Sequence, residues 1–136
     1  MRFFLDENVL SVARALDAVR GDVCFPGHSA LPEVPPGTYD EDWLPVVGRT
    51  GKDLVLITRD RKIRRKPAEL AAFRANGVRA FFITGKRELV AWDKLGLLVR
   101  HWEQIEATID RNGPGPWAVG LTISGRPKDI PLSLIE

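Results

Sequence analysis

Short apolar blocks separated by longer amphipathic segments are the main pattern of this chain. Four of the blocks predict β-strands, at residues 2–5, 23–25, 54–57 and 78–84. The third block, Leu54–Ile57, is continuously aliphatic, as is typical of a strand covered on both faces of a parallel sheet. Residues 117–124 alternate enough to predict a terminal strand at an edge of the sheet, and residues 125–136 are expected to form a tail on the body.

The segments between these blocks have apolar residues at helical spacing. They predict four helices, which begin near Asn8, Asp40, Pro67 and Glu88 and end by Gly21, Val47, Gly77 and Asp110. Asp6 or Asn8 is the expected N-cap of the first helix and Asp40 that of the second, because their short polar side chains accept hydrogen bonds from unpaired amides. Strands that alternate with helices predict a three-layer α/β/α domain with a mainly parallel sheet.

The last predicted helix has one apolar stripe at spacings of three and four residues. The stripe consists of Leu89, Trp92, Leu95, Val99, Trp102, Ile105 and Ile109. Stripes of this kind are usually buried, so we expect these side chains to face the core. The stripe is also large enough for part of it to form the interface of a homodimer.

The length of 136 residues suits one hydrophobic core, so we expect a single domain over residues 1–136. No apolar run approaches the roughly 20 residues that a membrane helix needs. An acid as early as Asp6 disfavours a secretion signal, and a lone Cys24 without nearby ligands disfavours disulfides and zinc. These features predict a cytoplasmic protein with no membrane contact, in which Cys24 is buried.

Acidic residues stand where three predicted elements begin or end. Asp6 follows the first strand, Asp60 follows the third, and Asp40, Glu41 and Asp42 open the helix before the third. If the first and third strands are neighbours, these acids converge at the carboxyl edge of the sheet, where open α/β sheets bind ligands. Carboxylate clusters with open coordination positions suit Mg²⁺ or Mn²⁺. The pattern therefore predicts a metal site, whereas the alternative role for Asp6 is that of a helix cap alone.

A run of cations flanks Asp60. It consists of Arg59, Arg61, Lys62, Arg64, Arg65 and Lys66. The net charge is only +2, so this run is a local concentration and not part of a general excess. It could hold nucleic-acid phosphates without base specificity, or it could simply be a solvated face. His28, in a proline-rich loop, is a weaker candidate for a phosphate contact.

Three motifs together resemble the PIN-like domains, notably the VapC-type toxin branch. They are Phe4–Asn8 (FLDEN), Asp40–Leu44 (DEDWL) and Ile57–Ile63 (ITRDRKI), and they occur in the family's order. The resemblance implies a PIN fold and a Mg²⁺-dependent ribonuclease, usually the toxin of a toxin–antitoxin pair that a cognate antitoxin inhibits. It also implies that Asp6 is the first metal ligand, Asp40 or Asp42 the second acid and Asp60 the third.

The chain departs from that pattern after the third acid. Many PIN nucleases have a further acid a few residues later, where this chain has Arg61, Lys62, Arg64 and Arg65. Two-metal catalysis would therefore lack one expected ligand. PIN relatives are often dimers, so the resemblance also implies that a homodimer could form.

Two other functions compete with the nuclease. A non-catalytic RNA- or protein-binding module would use the basic run for binding and the acids as caps and ion-pair partners. A phosphoacceptor receiver domain would need an acidic pair such as Asp6–Glu7, an aspartate such as Asp60, and a threonine and lysine such as Thr84 and Lys86. Lys86 follows Thr84 too closely, and the cations crowd Asp60, so the receiver is disfavoured.

Overall fold

A computed structural model describes residues 1–59, 65–85, 88–123 and 125–132. These residues form a six-stranded sheet in the order β2-β1-β3-β4-β5-β6. The strands are β1 (Phe3–Leu5), β2 (Val23–Cys24), β3 (Val55–Thr58), β4 (Arg79–Ile83), β5 (Trp117–Leu121) and β6 (Lys128–Ile130). All neighbours are parallel except β5 and β6, which are antiparallel.

The predicted helices are present. They are α1 (Leu10–Val19), α2 (Asp40–Val47), α3 (Pro67–Ala75) and α4 (Ala91–Asn112), and a 3₁₀ turn, Glu7–Val9, precedes α1. Within the described ranges, none of the helices is both long and apolar enough to cross a membrane.

The sheet lies between two helical layers. On one face, side chains of α1 and α4 pack on Phe3, Val55 and Phe81. On the other face, α2 and α3 pack on alternate strand residues such as Phe4 and Leu56. Both faces of the central strands are thus buried, which explains why their sequences are continuously apolar. The predicted three-layer α/β/α architecture with a mainly parallel sheet is confirmed.

The winding of the chain reverses between β1 and β3. From β1 the chain passes through α1 to β2 on one side, and then returns over β1 through α2 to β3 on the other. The connections through α3 and α4 move in the same direction along the sheet, but these helices lie on opposite faces. The two connections therefore have opposite hands, although parallel connections are nearly always right-handed. This exception places α4 beside α1 and completes the layer on that face.

Two predictions about the carboxyl-terminal part are wrong. The terminal strand is not an edge strand, because β6, inside the predicted tail, pairs with β5 through Gly120 and Lys128. The stripe of the last helix is not wholly buried, because Trp92 and Val99 are 80% and 61% exposed. The helix turns Leu98, Trp102, Ile105 and Ile109 towards the sheet instead, and Trp92 and Val99 fall outside this face.

The predicted N-caps are confirmed only in part. Asp6 is the N-cap residue of the 3₁₀ turn before α1 but makes no side-chain capping bond; its carboxylate accepts a hydrogen bond from Thr58 on the neighbouring strand. The N-cap residue of α1 is Val9 and that of α2 is Tyr39, so Asp40 is already inside its helix. Three acids in the first turn still favour α2, because they interact with the positive end of the helix dipole.

Candidate acidic site at the carboxyl edge of the sheet

Asp6 and Thr58 form the centre of the carboxyl edge of the sheet. The register pairs Leu5 with Ile57, so Asp6 and Thr58, the next residues, are adjacent. Thr58 Oγ1 donates a hydrogen bond to Asp6 Oδ2 at 2.6 Å. Asp6 is 2% exposed and Thr58 is fully buried. The first and third strands are thus neighbours in the sheet, as expected. This pairing brings Asp6 to the end of β3.

This position is the point at which the chain reverses its winding. At such points the loops that leave two neighbouring parallel strands turn to opposite faces, and the crevice between them is the usual ligand site of open α/β sheets. A carboxylate withdrawn from water costs several kcal/mol unless hydrogen bonds or a cation compensate. The hydrogen bond from Thr58 supplies part of that compensation.

The start of α2 also lies at this edge. The backbone amide of Gly37, just before the helix, donates to Glu7 Oε1, and Trp43 in α2 packs on Phe4 with ring centroids 5.0 Å apart. These contacts hold the first turn of α2 near the end of β1. In that turn Asp40 is half-buried.

Glu41 and Asp42, the other two acids of that turn, are exposed. Asp40 is therefore the acid of this turn that is most withdrawn from solvent.

The described residues contain no group of three His, Cys, Asp or Glu side chains that could together hold a metal ion. Asp60, the third predicted ligand, lies outside the described residues. The donors at the edge are carboxylate and hydroxyl oxygens, the kind that hard cations such as Mg²⁺ take. The donor chemistry of Asp6 and Thr58 thus fits Mg²⁺ in kind, and Asp60 follows Thr58 by two positions.

The basic run is only partly described. Arg59 Nη1 donates to the carbonyl oxygen of Ile83 at 2.6 Å, and its Nη2 donates to that of Gly85 at 3.1 Å. The guanidinium therefore ties the end of β3 to the end of β4, in addition to its predicted role towards phosphates. The cations Arg61, Lys62 and Arg64 lie outside the described residues.

Arg65 and Lys66 are exposed at the start of α3. Lys66 Nζ lies 3.8 Å from Glu69 Oε1. Both cations are accessible to a ligand at the carboxyl edge, because α3 begins there.

His28 has a structural role in its loop. Its Nδ1 accepts a hydrogen bond from the Ala30 amide at 2.9 Å, so the proton is on Nε2, which faces Asp17 Oδ1 at 3.2 Å. The ring also packs edge-on against Phe25, with centroids 4.9 Å apart. These contacts attach the proline-rich loop to α1, away from Asp6 and Thr58.

Glu7 and Thr58 lie within the FLDEN and ITRDRKI motifs, but the metal ligands predicted from the motifs are aspartates only. The motif alone gives Thr58 no role, because a threonine at the end of a strand is also an ordinary strand residue. Strand pairing is the feature that could have identified Thr58, because a residue level with Asp6 on the neighbouring strand of the sheet contacts it. Glu7 becomes notable only through Gly37, which is 30 positions away in the chain.

A second charged cluster lies at the opposite, amino edge of the sheet. Arg20 donates to both carboxylate oxygens of Asp22, at 2.9 and 2.8 Å. This hydrogen bonding lowers the pKa of the Asp22 carboxyl and raises the pKa of Arg20. The Arg20 guanidinium also lies 4.6 Å from the Trp102 ring centroid. The cluster joins the end of α1 to α4 and is structural.

One family of known proteins matches the chain. A family model described as a PIN like domain matches residues 1–85, which include β1 to β4 and the whole of the acidic edge. No curated protein and no solved structure matches the chain. The match ends before α4 and β5, which complete the sheet and one of its helical layers.

Proposed function

This chain belongs to the PIN-like domain family, and from that membership we propose that it is a Mg²⁺-dependent ribonuclease with its centre at Asp6. The observation that carries the proposal is the buried Asp6 carboxylate, 2% exposed, at the point where the winding of the sheet reverses. A helix cap would not need this burial, and Asp6 makes no capping bond. A buried carboxylate at the edge where open α/β sheets bind ligands is the kind of oxygen ligand that Mg²⁺ takes, which supports a bound cation.

Asp6 and Asp60 are the proposed metal ligands, with Asp40 or Asp42 as a further acid. Asp40 is the better candidate of the two because it is half-buried, whereas Asp42 is exposed. Bound Mg²⁺ or Mn²⁺ would lower the pKa of an attacking water and neutralise charge on the phosphate. Thr58 has a positioning role, since its hydroxyl holds one Asp6 oxygen and thereby orients the carboxylate.

The cations from Arg59 to Lys66 would bind the phosphate backbone of the RNA. Arg65 and Lys66 are exposed at the start of α3, on the same edge as Asp6. Contacts of this kind are insensitive to base identity and weaken with salt. The resemblance to the VapC-type branch supports a finer proposal, in which the chain is a toxin that a cognate antitoxin protein inhibits and which could act as a homodimer.

A binding module without catalysis is the second candidate. It is favoured by the cations Arg61, Lys62, Arg64 and Arg65, which occupy the positions where many PIN nucleases have a further acid. Such a module would bind RNA through the same basic run. It would use Asp6 only as the hydrogen-bond partner of Thr58.

The test is Asp6→Asn, which keeps an oxygen for the Thr58 hydroxyl but removes the charge. Cleavage of single-stranded RNA in Mg²⁺ should fall at least about 100-fold, since changes in the neighbours of metal ligands alone cost roughly 10–100-fold. The variant should still unfold cooperatively in urea, because the asparagine keeps an oxygen that accepts the Thr58 hydrogen bond. Metal affinity, measured by calorimetry, should fall with activity.

Asp110→Asn is the matched control, because Asp110 is exposed at the far end of α4. It should cleave as the wild type does. Asp40→Asn should lower cleavage more than Asp42→Asn if α2 supplies the second acid. Cleavage that survives Asp6→Asn, or that persists in EDTA, would overturn the nuclease. RNA binding without any cleavage in the wild-type protein would identify the binding module.

A further inference from the structure

A cavity lies along the same edge of the sheet, beyond the part of the chain that matches the family. Its volume is about 610 Å³, within the range of small-ligand sites. Gly120, Thr122 and residues 125–131 supply most of its lining, and Thr84 after β4 supplies the rest. The family match ends at residue 85, so nothing in that match assigns this cavity a role.

The register of the sheet places this cavity level with Asp6. Thr58, which contacts Asp6, pairs with Phe82; Phe82 pairs with Gly120, and Gly120 pairs with Lys128. Side chains in such a row point to one face of the sheet. Asp6 and the cavity are therefore at the same height and on the same face of the sheet, with the buried side chain of Phe82 between them.

Gly120 forms the floor of the cavity and has no side chain that would fill the space above it. A Cβ there would lie 3.2 Å from Ile130 Cδ1 and 3.4 Å from Thr84 Oγ1, so those two side chains stand on either side of an open floor. A Cβ at Gly125 would lie 2.5 Å from Thr122 Oγ1 and would cover that hydroxyl. The two glycines thus leave the Thr84 and Thr122 hydroxyls beside the cavity.

The rim of the cavity is positively charged. Arg126 and Lys128 line it and are both exposed, and Asp129 contributes one opposing acid. Neither cation makes a hydrogen bond or ion pair within the described part of the chain, so both can meet a ligand. Two cations and the Thr122 hydroxyl are donors for phosphate oxygens, whereas Thr84 Oγ1 donates to the Leu121 carbonyl at 3.4 Å. Pro127 and Ile130 offer an apolar surface for a base or sugar.

From this juxtaposition we infer that the cavity between β4, β5 and β6 is a second binding site for the backbone of the single-stranded RNA that reaches Asp6. The inference rests on the proposed ribonuclease function. Four strand-to-strand steps of roughly 4.8 Å, about 19 Å in all, separate Asp6 from Lys128. At roughly 3.4 Å per stacked nucleotide, about six nucleotides span that distance. A strand of this length contacts both places, and a trinucleotide contacts only one.

The test compares oligouridylates of three and ten nucleotides by fluorescence anisotropy, in EDTA to prevent cleavage. The variant is Arg126→Gln with Lys128→Gln. Its affinity for the ten-nucleotide probe should fall several-fold. The slope of log affinity against log salt should become shallower by about 1.4, because each lost phosphate contact contributes roughly 0.7 for single strands. Affinity for the three-nucleotide probe at the Asp6 end should change much less.

The matched control is Arg74→Gln with Arg111→Gln, which removes the same charge from the exposed ends of α3 and α4 at the opposite edge. Its affinity for the ten-nucleotide probe and its salt slope should be nearer to those of the wild type than are those of the Arg126/Lys128 variant. Thr122→Val removes only the Thr122 hydroxyl and should weaken binding of the long probe without changing the net charge.

The outcomes separate the two proposals. If the wild-type protein binds the long probe and the Arg126/Lys128 variant binds it as the control does, the cavity is not an RNA site, and the ribonuclease proposal still stands. A salt slope that the Arg126/Lys128 variant leaves unchanged would also overturn the second site. If the wild-type protein neither binds nor cleaves RNA, the ribonuclease and the second site are both overturned.

Discussion

Asp6 has a structural role that suits the function we propose for it. Its carboxylate makes no helix-capping bond. Instead it accepts a hydrogen bond from Thr58 Oγ1, on the neighbouring strand, at 2.6 Å. Charge-assisted hydrogen bonds of this kind are about twice as strong as neutral ones. The bond can therefore hold the acid in one orientation before any ligand binds, which is what a metal site needs.

Cys24 gives a residue-scale prediction about pH. It is fully buried, its thiol donates to the Phe3 carbonyl at 3.3 Å, and burial raises its pKa from the usual 9.0 to about 11. Between these pH values the unfolded chain loses the thiol proton while the folded chain keeps it. The free energy of unfolding should therefore fall with rising pH, by up to about 1.4 kcal/mol per unit.

Other groups also titrate in this range, so the measurement is a difference. Urea unfolding of the wild type and of Cys24→Ala should be compared at several pH values from neutral to about 11. The wild type should lose its stability faster than the variant above pH 9. Stability curves that stay parallel would contradict the raised pKa.

At the scale of elements, α4 carries two tryptophans with opposite environments. Trp102 is 9% exposed, with its ring centroid 4.7 Å from that of Phe3, whereas Trp92 is 80% exposed. Sequence periodicity placed both in one stripe. The helix packs on one face of the sheet only, so its buried face is narrower than the predicted stripe. Trp92 lies near the start of the helix and outside that buried face.

These two residues make a matched pair for mutation. Trp102→Ala should lower the free energy of unfolding by about 3–5 kcal/mol, because it removes a large buried ring and leaves a cavity. Trp92→Ala should change it by less than about 0.5 kcal/mol, as is usual for exposed positions. Chemical denaturation of both variants tests this. Similar losses in the two variants would show that Trp92 is buried in solution.

At the scale of the whole molecule, the part that matches the family is not the part that completes the core. The match covers residues 1–85, yet α4 supplies much of the layer that covers β1 and β3 on one face. β5 then pairs with β4 along its full length. Fold and family match therefore have different boundaries.

A chain that ends after residue 85 should not fold cooperatively. It would expose Phe3, Val55 and Phe81, which are fully buried in the full chain, together with the edge of β4. We expect it to unfold without a sigmoidal transition and to bind a hydrophobic dye. The full chain, under the same conditions, is the control. A cooperative transition in the fragment would show that residues 1–85 are an independent folding unit.

Local sequence was sufficient for the elements and for the edge at which Asp6 lies. The apolar blocks, Pro67 at a helix start and Gly77 after a helix end mark boundaries, because backbone preference and periodicity act over a few residues. The placement of Asp6 directly after a parallel strand likewise follows from the chain itself. Alternating strands and helices leave few three-layer arrangements, so the fold class was predictable as well.

Only the tertiary structure decided which strands are neighbours and which faces are covered. The contact of Asp6 with Thr58 joins residues 52 positions apart, and the pairing of β6 with β5 turned an expected tail into an edge strand. The face of α4 that is buried depends on the layer it meets. These outcomes depend on burial summed over the whole sheet, so a local pattern such as the stripe through Trp92 contains too little information to determine them.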